Sequence, residues 1–179
     1  MKLSDGERLI ILMLADLSKS LKIKGEMDPE FIEKMVINND LWAINWKYHG
    51  IQFEKGEDPP EVRETCDILD MWSFVEAGYK KLSAADKKKV KTEAAPYGDD
   101  VKFHGFDGNH EPHTFIAGVL IKDLERWSEF KGRALNAHTR TVERYPRMCR
   151  AFEGIRPSLD MRHPSADEIT KILLAQKHG

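Results

Sequence analysis

Along most of the chain apolar residues return every three or four positions, the period of helices that each bury one face. In the first such segment Leu9, Met13 (or Leu12), Leu17 and Leu21 form a single stripe. Ser4-Asp5-Gly6-Glu7 ahead of it reads as a capping box: the hydroxyl accepts from the third helical amide and the glutamate reaches back. Gly25 ends the segment. Asp28-Pro29 then opens a second helix with an acidic cap and a proline where the missing N–H costs nothing. Phe31, Ile32, Met35 and Val36 are its apolar face. Asn38-Asn39-Asp40 interrupts it and caps a short third helix over 41–48, with Gly50 beyond its end.

Residues 49–58 read as a loop. Asp58-Pro59-Pro60-Glu61 opens the clearest helix, in which Val62, Cys66, Leu69, Trp72, Val75 (or Glu76), Tyr79 and Leu82 keep the helical period. Ser83-Ala84-Ala85-Asp86 starts a short lysine-rich turn that Pro96 and Gly98 terminate. The stretch 98–112 is rich in Gly, Asp, His and Pro, and such loops carry binding residues disproportionately. Asn109 is expected to cap a helix through about Trp127, with Phe115, Val119, Leu120, Leu124 and Trp127 inside. Residues 136–152 also read as helix, with a kink or break near Tyr145-Pro146 because an interior proline clashes with the preceding turn. Ser165-Ala166-Asp167-Glu168 is a further capping box, before Ile169, Ile172, Leu173 and Gln176. No internal repeat and no sustained alternating pattern occurs, although 51–53 and 101–103 could form brief strands. The expected architecture is all-α: a compact bundle of about six or seven helices with one long Gly/His/Asp-rich loop, in a single domain over 1–179. The apolar stripes are expected to meet in one interior.

Composition narrows the classes. At 179 residues, 41% hydrophobic and 32% charged, the chain suits one globular domain that needs no disulfide or metal staple. A net charge of −2 gives no global field toward nucleic acid or an acidic membrane. Cys66 and Cys149 form no CxxC pair, which excludes a thiolate zinc site, and both read as reduced thiols of a cytoplasmic protein. The run from Leu9 to Ala15 is too short to span a bilayer, which takes about 20 residues, and resembles no cleaved leader. No membrane partner and no cofactor are expected.

Several short segments carry a family resemblance. Glu64-Thr65-Cys66 with Asp67-Ile68-Leu69-Asp70-Met71-Trp72, then Phe103-His104-Gly105-Phe106-Asp107, then Leu135-Asn136-Ala137-His138-Thr139, Arg144-Tyr145-Pro146-Arg147-Met148 and Ser165-Ala166-Asp167-Glu168-Ile169 resemble, in order, segments of the YfbU family. The stretches 51–60 and 84–102 are longer than in that family, and Pro146 stands where a helix former is usual. The resemblance implies an all-α fold. It implies little chemistry, since the family is one of unknown function; some members lie beside helix-turn-helix domains, which implies a ligand- or partner-sensing role.

Candidate chemistry divides three ways. The leading reading is a non-enzymatic module that binds a small ligand or a protein partner, with Glu64, Gly105, Phe106, Asp107, Asn136, Arg144 and Arg147 around one pocket, in a chain that self-associates. A metal-dependent hydrolase is the first alternative. His104, Asp107, His110, Glu111 and His113 fall within ten residues and could supply ligands, though the spacing matches no HExxH signature, and an exposed turn is the plainer explanation, ahead of an anion or polar-ligand site and of a metal site. Nucleic-acid binding, not favoured, is the second alternative. Residues 131–162 hold Lys131, Arg133, Arg140, Arg144, Arg147, Arg150, Arg156 and Arg162, and on an unbroken helix Arg140, Arg144 and Arg147 would share a face. The plainer explanation is pairing with the acidic stretch Glu54, Glu57, Asp58, Glu61, Glu64, Asp67, Asp70 and Glu76. Trp42 and Trp46 read as core or interface, Lys87-Lys88-Lys89 as a solvated face, and Cys66 as a buried thiol.

Overall fold

A computed structural model describes residues 2–51, 53 and 56–177. Its eight α-helices are α1 (Asp5–Ser20), α2 (Pro29–Asn38), α3 (Leu41–Lys47), α4 (Pro60–Lys81), α5 (Ala84–Glu93), α6 (His113–Gly118), α7 (Tyr145–Glu153) and α8 (Ala166–Leu174). Among the described residues there is no strand, and the fold is all-α. One isolated parallel bridge joins Phe106 to Asn136. No described helix is long and apolar enough to cross a membrane. The chain divides into two compact units, Met1–Pro59 and Pro60–Gly179.

In the first unit α1 packs on α2, and α2 on α3. The Ser4 capping box forms, and the Asp28 carboxylate accepts the amides of Glu30 and Phe31 as an N-cap. Arg8 donates to the Val36 carbonyl (3.0 Å) and to the Asn39 side chain, and Lys19 pairs with Glu33 at 2.7 Å. These contacts fix which face of α1 meets α2. They also overturn the expected burial of its stripe: Leu9, Met13, Leu17 and Leu21 are 52–64% exposed, and Ala15 is the buried residue of α1. Phe31, Met35, Val36, Leu41, Trp42 and Ile44 are buried. The Trp42 and Trp46 rings meet edge-on at 5.5 Å, which fits packing rather than a base-stacking platform. The suggested strand at 51–53 includes Gln52, outside the described residues.

In the second unit the 22-residue α4 touches α6, α7 and α8, and α5 and α7 both pack on α8. Val62, Ile68, Leu69, Met71, Trp72 and Val75 of α4 are buried, as their period requires. Three expected elements differ. The lysine-rich turn is a full helix, α5, because Ser83 caps it through the Asp86 amide. The helix expected from Asn109 starts only at His113: Asn109 belongs to the turn held by Asp107, and Pro112 takes the cap position. It passes into a π-helical segment, Val119–Asp123, before Trp127 turns left-handed at φ 45°. Residues 136–144 are not helical, and Pro146 lies in the first turn of α7, where its missing amide is tolerated. Arg140 and Arg144 therefore precede α7 and share no helical face with Arg147. Residues 101–103 form no strand.

Candidate functional site

The Gly105-Phe106-Asp107 turn is bonded to the segment around Asn136. Gly105 has φ +88°, and a Cβ there would sit 2.2 Å from the Leu135 carbonyl oxygen, so only glycine allows this approach. The Phe106 amide donates to Leu135 O (2.9 Å) and the Ala137 amide to Phe106 O (2.7 Å). Asn136 Oδ1 accepts from the amides of Gly108 (3.0 Å) and His138 (2.9 Å).

Carboxylates lock the same region. Glu111 accepts from the amides of Asp107 (2.6 Å), Thr141 (2.6 Å) and Val142 (2.8 Å) and from the Thr141 hydroxyl (2.9 Å). Burial alone would raise the Glu111 carboxyl, but the Val142, Asp107 and Thr141 donors outweigh it and leave it below the ordinary range. The buried Asp107 accepts from the Asn109 amide (3.0 Å) and lies 2.8 Å from His110 Nδ1, and these two partners, the amide first, lower its pKa. His113 is buried, stacked on Phe106 at 5.3 Å, with Nε2 3.0 Å from Glu64.

Glu64, Gly105, Phe106, Asp107 and Asn136 thus come into one neighbourhood, but there they hold one another and the backbone. Arg147 lies apart and donates to the Ala175 (3.2 Å), Gln176 (2.7 Å) and Glu143 carbonyls, which ties α7 to the end of α8. The histidines diverge as well. His104 is 3.6 Å from Asp100, His110 serves Asp107 and His113 serves Glu64. Among the described residues no three His, Cys, Asp or Glu side chains converge as a metal set.

Beside this knot lies a cavity of about 880 Å³. Trp72 of α4, Phe103 and Tyr145 form its aromatic wall, with Trp72 and Tyr145 edge-on at 5.8 Å and Phe103 and Tyr145 at 6.0 Å. Tyr145 donates to the Gly105 carbonyl at 3.2 Å, and burial pushes its phenol up to about 12. His104, Arg133, Asn136 and Arg144 bring polar groups to the cavity. Arg133 is held in a bidentate pair with Glu76 (2.7 and 2.8 Å), and Glu76 also accepts the Phe103 amide (2.7 Å). Trp72 Nε1 and Arg144 Nε are buried without a hydrogen-bond partner. Both atoms are donors only. Among the described residues no carboxylate pairs with Arg144, whose guanidinium lies over the Tyr145 ring at 5.5 Å and whose side chain also hydrogen-bonds Tyr145.

Of the residues the sequence singled out, Asn136 and Arg144 line this cavity, as does His104. Arg133, of the basic stretch, lines it too, and Trp72, Phe103 and Tyr145 line it without any signal in the sequence that marks them as site residues. Trp72 sits in the apolar stripe of α4, where only its ring registers; a buried indole N–H without an acceptor leaves no trace in spacing. The charge asymmetry did foreshadow Arg133–Glu76 and also Arg156–Asp70 at 2.9 Å. Glu54 of the acidic stretch lies outside the described residues. Cys66, expected to be buried, is only half-buried, whereas Cys149 is a buried thiol raised to about 12, first by burial and then by Asp67.

The YfbU domain model matches residues 1–175, across both compact units. No curated protein and no solved structure matches the chain.

Proposed function

The chain belongs to the YfbU family, and on that premise we propose that it is a non-enzymatic binding module whose cavity takes a small anionic ligand. The observation that carries this reading is that two cavity-lining residues, Trp72 and Arg144, each hold a buried donor, Nε1 and Nε, with no partner within the chain. A buried donor left unmet costs roughly 1–3 kcal/mol, so a side-chain shift that brings it to a ligand oxygen recovers part of that amount. Neither atom can accept, so the group opposite them is an acceptor: a carboxylate, a phosphate or a carbonyl. The Trp72, Phe103 and Tyr145 rings supply an apolar wall for the rest of a small molecule.

Holding suits the remaining groups better than turnover. Glu76 is committed to Arg133 and the Phe103 amide, Asp99 to Lys91 at 3.4 Å, and Asp100 to Lys102 at 2.8 Å. Their charges are neutralised in place, which leaves Arg144 to meet the ligand's charge. Calorimetric titration with inorganic phosphate and with short dicarboxylates tests the reading. Binding to the wild-type chain should weaken at least about tenfold in Arg144→Gln, in line with one charge-assisted hydrogen bond. Trp72→Phe, which keeps an aromatic side chain, removes the donor and gives up part of the indole's volume, should weaken it less. Affinity unchanged in both variants would place any ligand elsewhere.

A further inference from the structure

Ile10, Leu14, Leu17 and Leu21 recur at spacings of four, three and four, the seam spacing of a two-helix coiled coil. At 3.6 residues per turn they fall within a strip roughly 60° wide. Arg8, Ala15 and Lys19, which are buried or bonded to α2, lie on the other side of α1. All four seam residues are more than half exposed, and Leu9 and Met13 widen the exposed face on one flank. Of the exposed large apolar side chains in the described chain, all but Met161 lie between Leu9 and Ile51, so the feature is regional and not a scatter of single residues.

We propose that α1 is a homodimer interface in which two copies of the helix pack antiparallel about a two-fold axis. The seam is complementary to itself in that direction. Setting Leu14 of one copy against Leu17 of the other also sets Ile10 against Leu21, so every seam residue faces another and none faces solvent. The charges agree with the same direction. Asp5 and Glu7 (the latter also bonded to Ser4) outweigh Lys2 at the N-terminal end of α1, and Lys22 and Lys24 outweigh Glu26 just past its C-terminal end. An antiparallel pair brings each acidic end to a basic end and opposes the helix dipoles; a parallel pair sets like against like. Lys19 takes no part, since Asp16 and Glu33 hold it. An interface of one helix pair, roughly 24 Å long, lies at the small end of the size range, so the dimer should dissociate reversibly on dilution.

Sedimentation equilibrium of the full chain reads the mass directly. The wild type should approach twice the chain mass as concentration rises. Leu17→Glu and Ile10→Glu should each hold it at the single-chain mass with an unchanged helical circular dichroism spectrum. Mixed Ile10→Cys and Leu21→Cys chains should form a disulfide between those two positions under mild oxidation, identified by peptide mass spectrometry. A wild type that stays at single-chain mass at the highest concentration overturns the interface. So does a dimer that survives both glutamate variants. Ile10→Cys alone linking to its own copy as readily as to Leu21→Cys overturns the antiparallel arrangement.

Discussion

Leu69 in α4 and Leu17 in α1 occupy the same kind of place, the apolar stripe of an amphipathic helix, yet Leu69 is fully buried and Leu17 is more than half exposed. The units they represent differ in the same way. In residues 60–177 α4 is covered by α6, α7 and α8, and polar groups such as Glu111 and Asp107 are consumed in stitching loops together. In residues 2–59 α1 has α2 on one side, with an apolar face left outward on the other. Helical period thus tells that a face is to be covered, and says nothing of whether the cover comes from the same chain.

Substitutions can sharpen that contrast, and the largest effect is expected where backbone meets backbone. Gly105→Ala should cost roughly 4 kcal/mol in urea unfolding, since it adds left-handed strain to a clash with the Leu135 carbonyl. Leu69→Ala should follow at roughly 3 kcal/mol, the transfer and cavity cost of a buried leucine. Glu111→Gln should cost roughly 2 kcal/mol, because an amide cannot replace every acceptor that the carboxylate offers to Asp107, Thr141 and Val142. Smallest is Leu17→Ser, within about 0.5 kcal/mol when measured at high dilution, as for an exposed site. A cost for Leu17→Ser as large as for Leu69→Ala would erase the difference between the two helices.

Acid should act through hydrogen-bonded carboxylates of both units, Glu7 and Asp28 in the first and Glu111, Asp107 and Glu168 in the second. Glu111, Asp107 and Glu168 all have folded-state pKa values below the ordinary ones, Glu168 at about 2 through its Arg162 pair and Ser165 cap. A depressed folded pKa contributes stability that is present above the unfolded value, here 4.5 for the glutamates and 3.8 for Asp107, and lost as pH falls through the folded one. Melting temperature should therefore fall from about pH 5 downward, and the fall should be shallower in Glu111→Gln. An identical slope in the variant would remove Glu111 from the acid response.

Much of this fold was legible in the sequence because its signals are local. Ser4, Asp28 and Ser165 cap helices as their neighbours foretold, and Trp72, Leu69 and Val75 keep their inward period. The misses have non-local causes. The helical pattern over 136–152 makes Pro146 a breaker, yet it lies in the first turn of α7, because residues 136–144 are drawn away to Phe106 and Glu111. At the candidate site, the short motifs around Gly105, Asp107 and Asn136 do meet. Their polar atoms are largely spent on one another, though the neighbouring His113 Nδ1 is unpartnered; of the cavity-lining residues, Trp72, which the spacing gives as core, and Arg144 carry unpartnered donors. Which polar atom lacks a partner depends on contacts among residues tens of positions apart, and no spacing rule reports it.

The four tryptophans offer the most direct measurement. In a ¹H–¹⁵N correlation spectrum each indole N–H gives its own peak, and Trp72→Phe identifies that of Trp72. Titration with phosphate or a short dicarboxylate should move the Trp72 peak downfield, as its proton gains an acceptor, and leave Trp42 and Trp46 in place. A Trp72 peak that stays fixed while ligand binding is detected by calorimetry would contradict the cavity as the binding site.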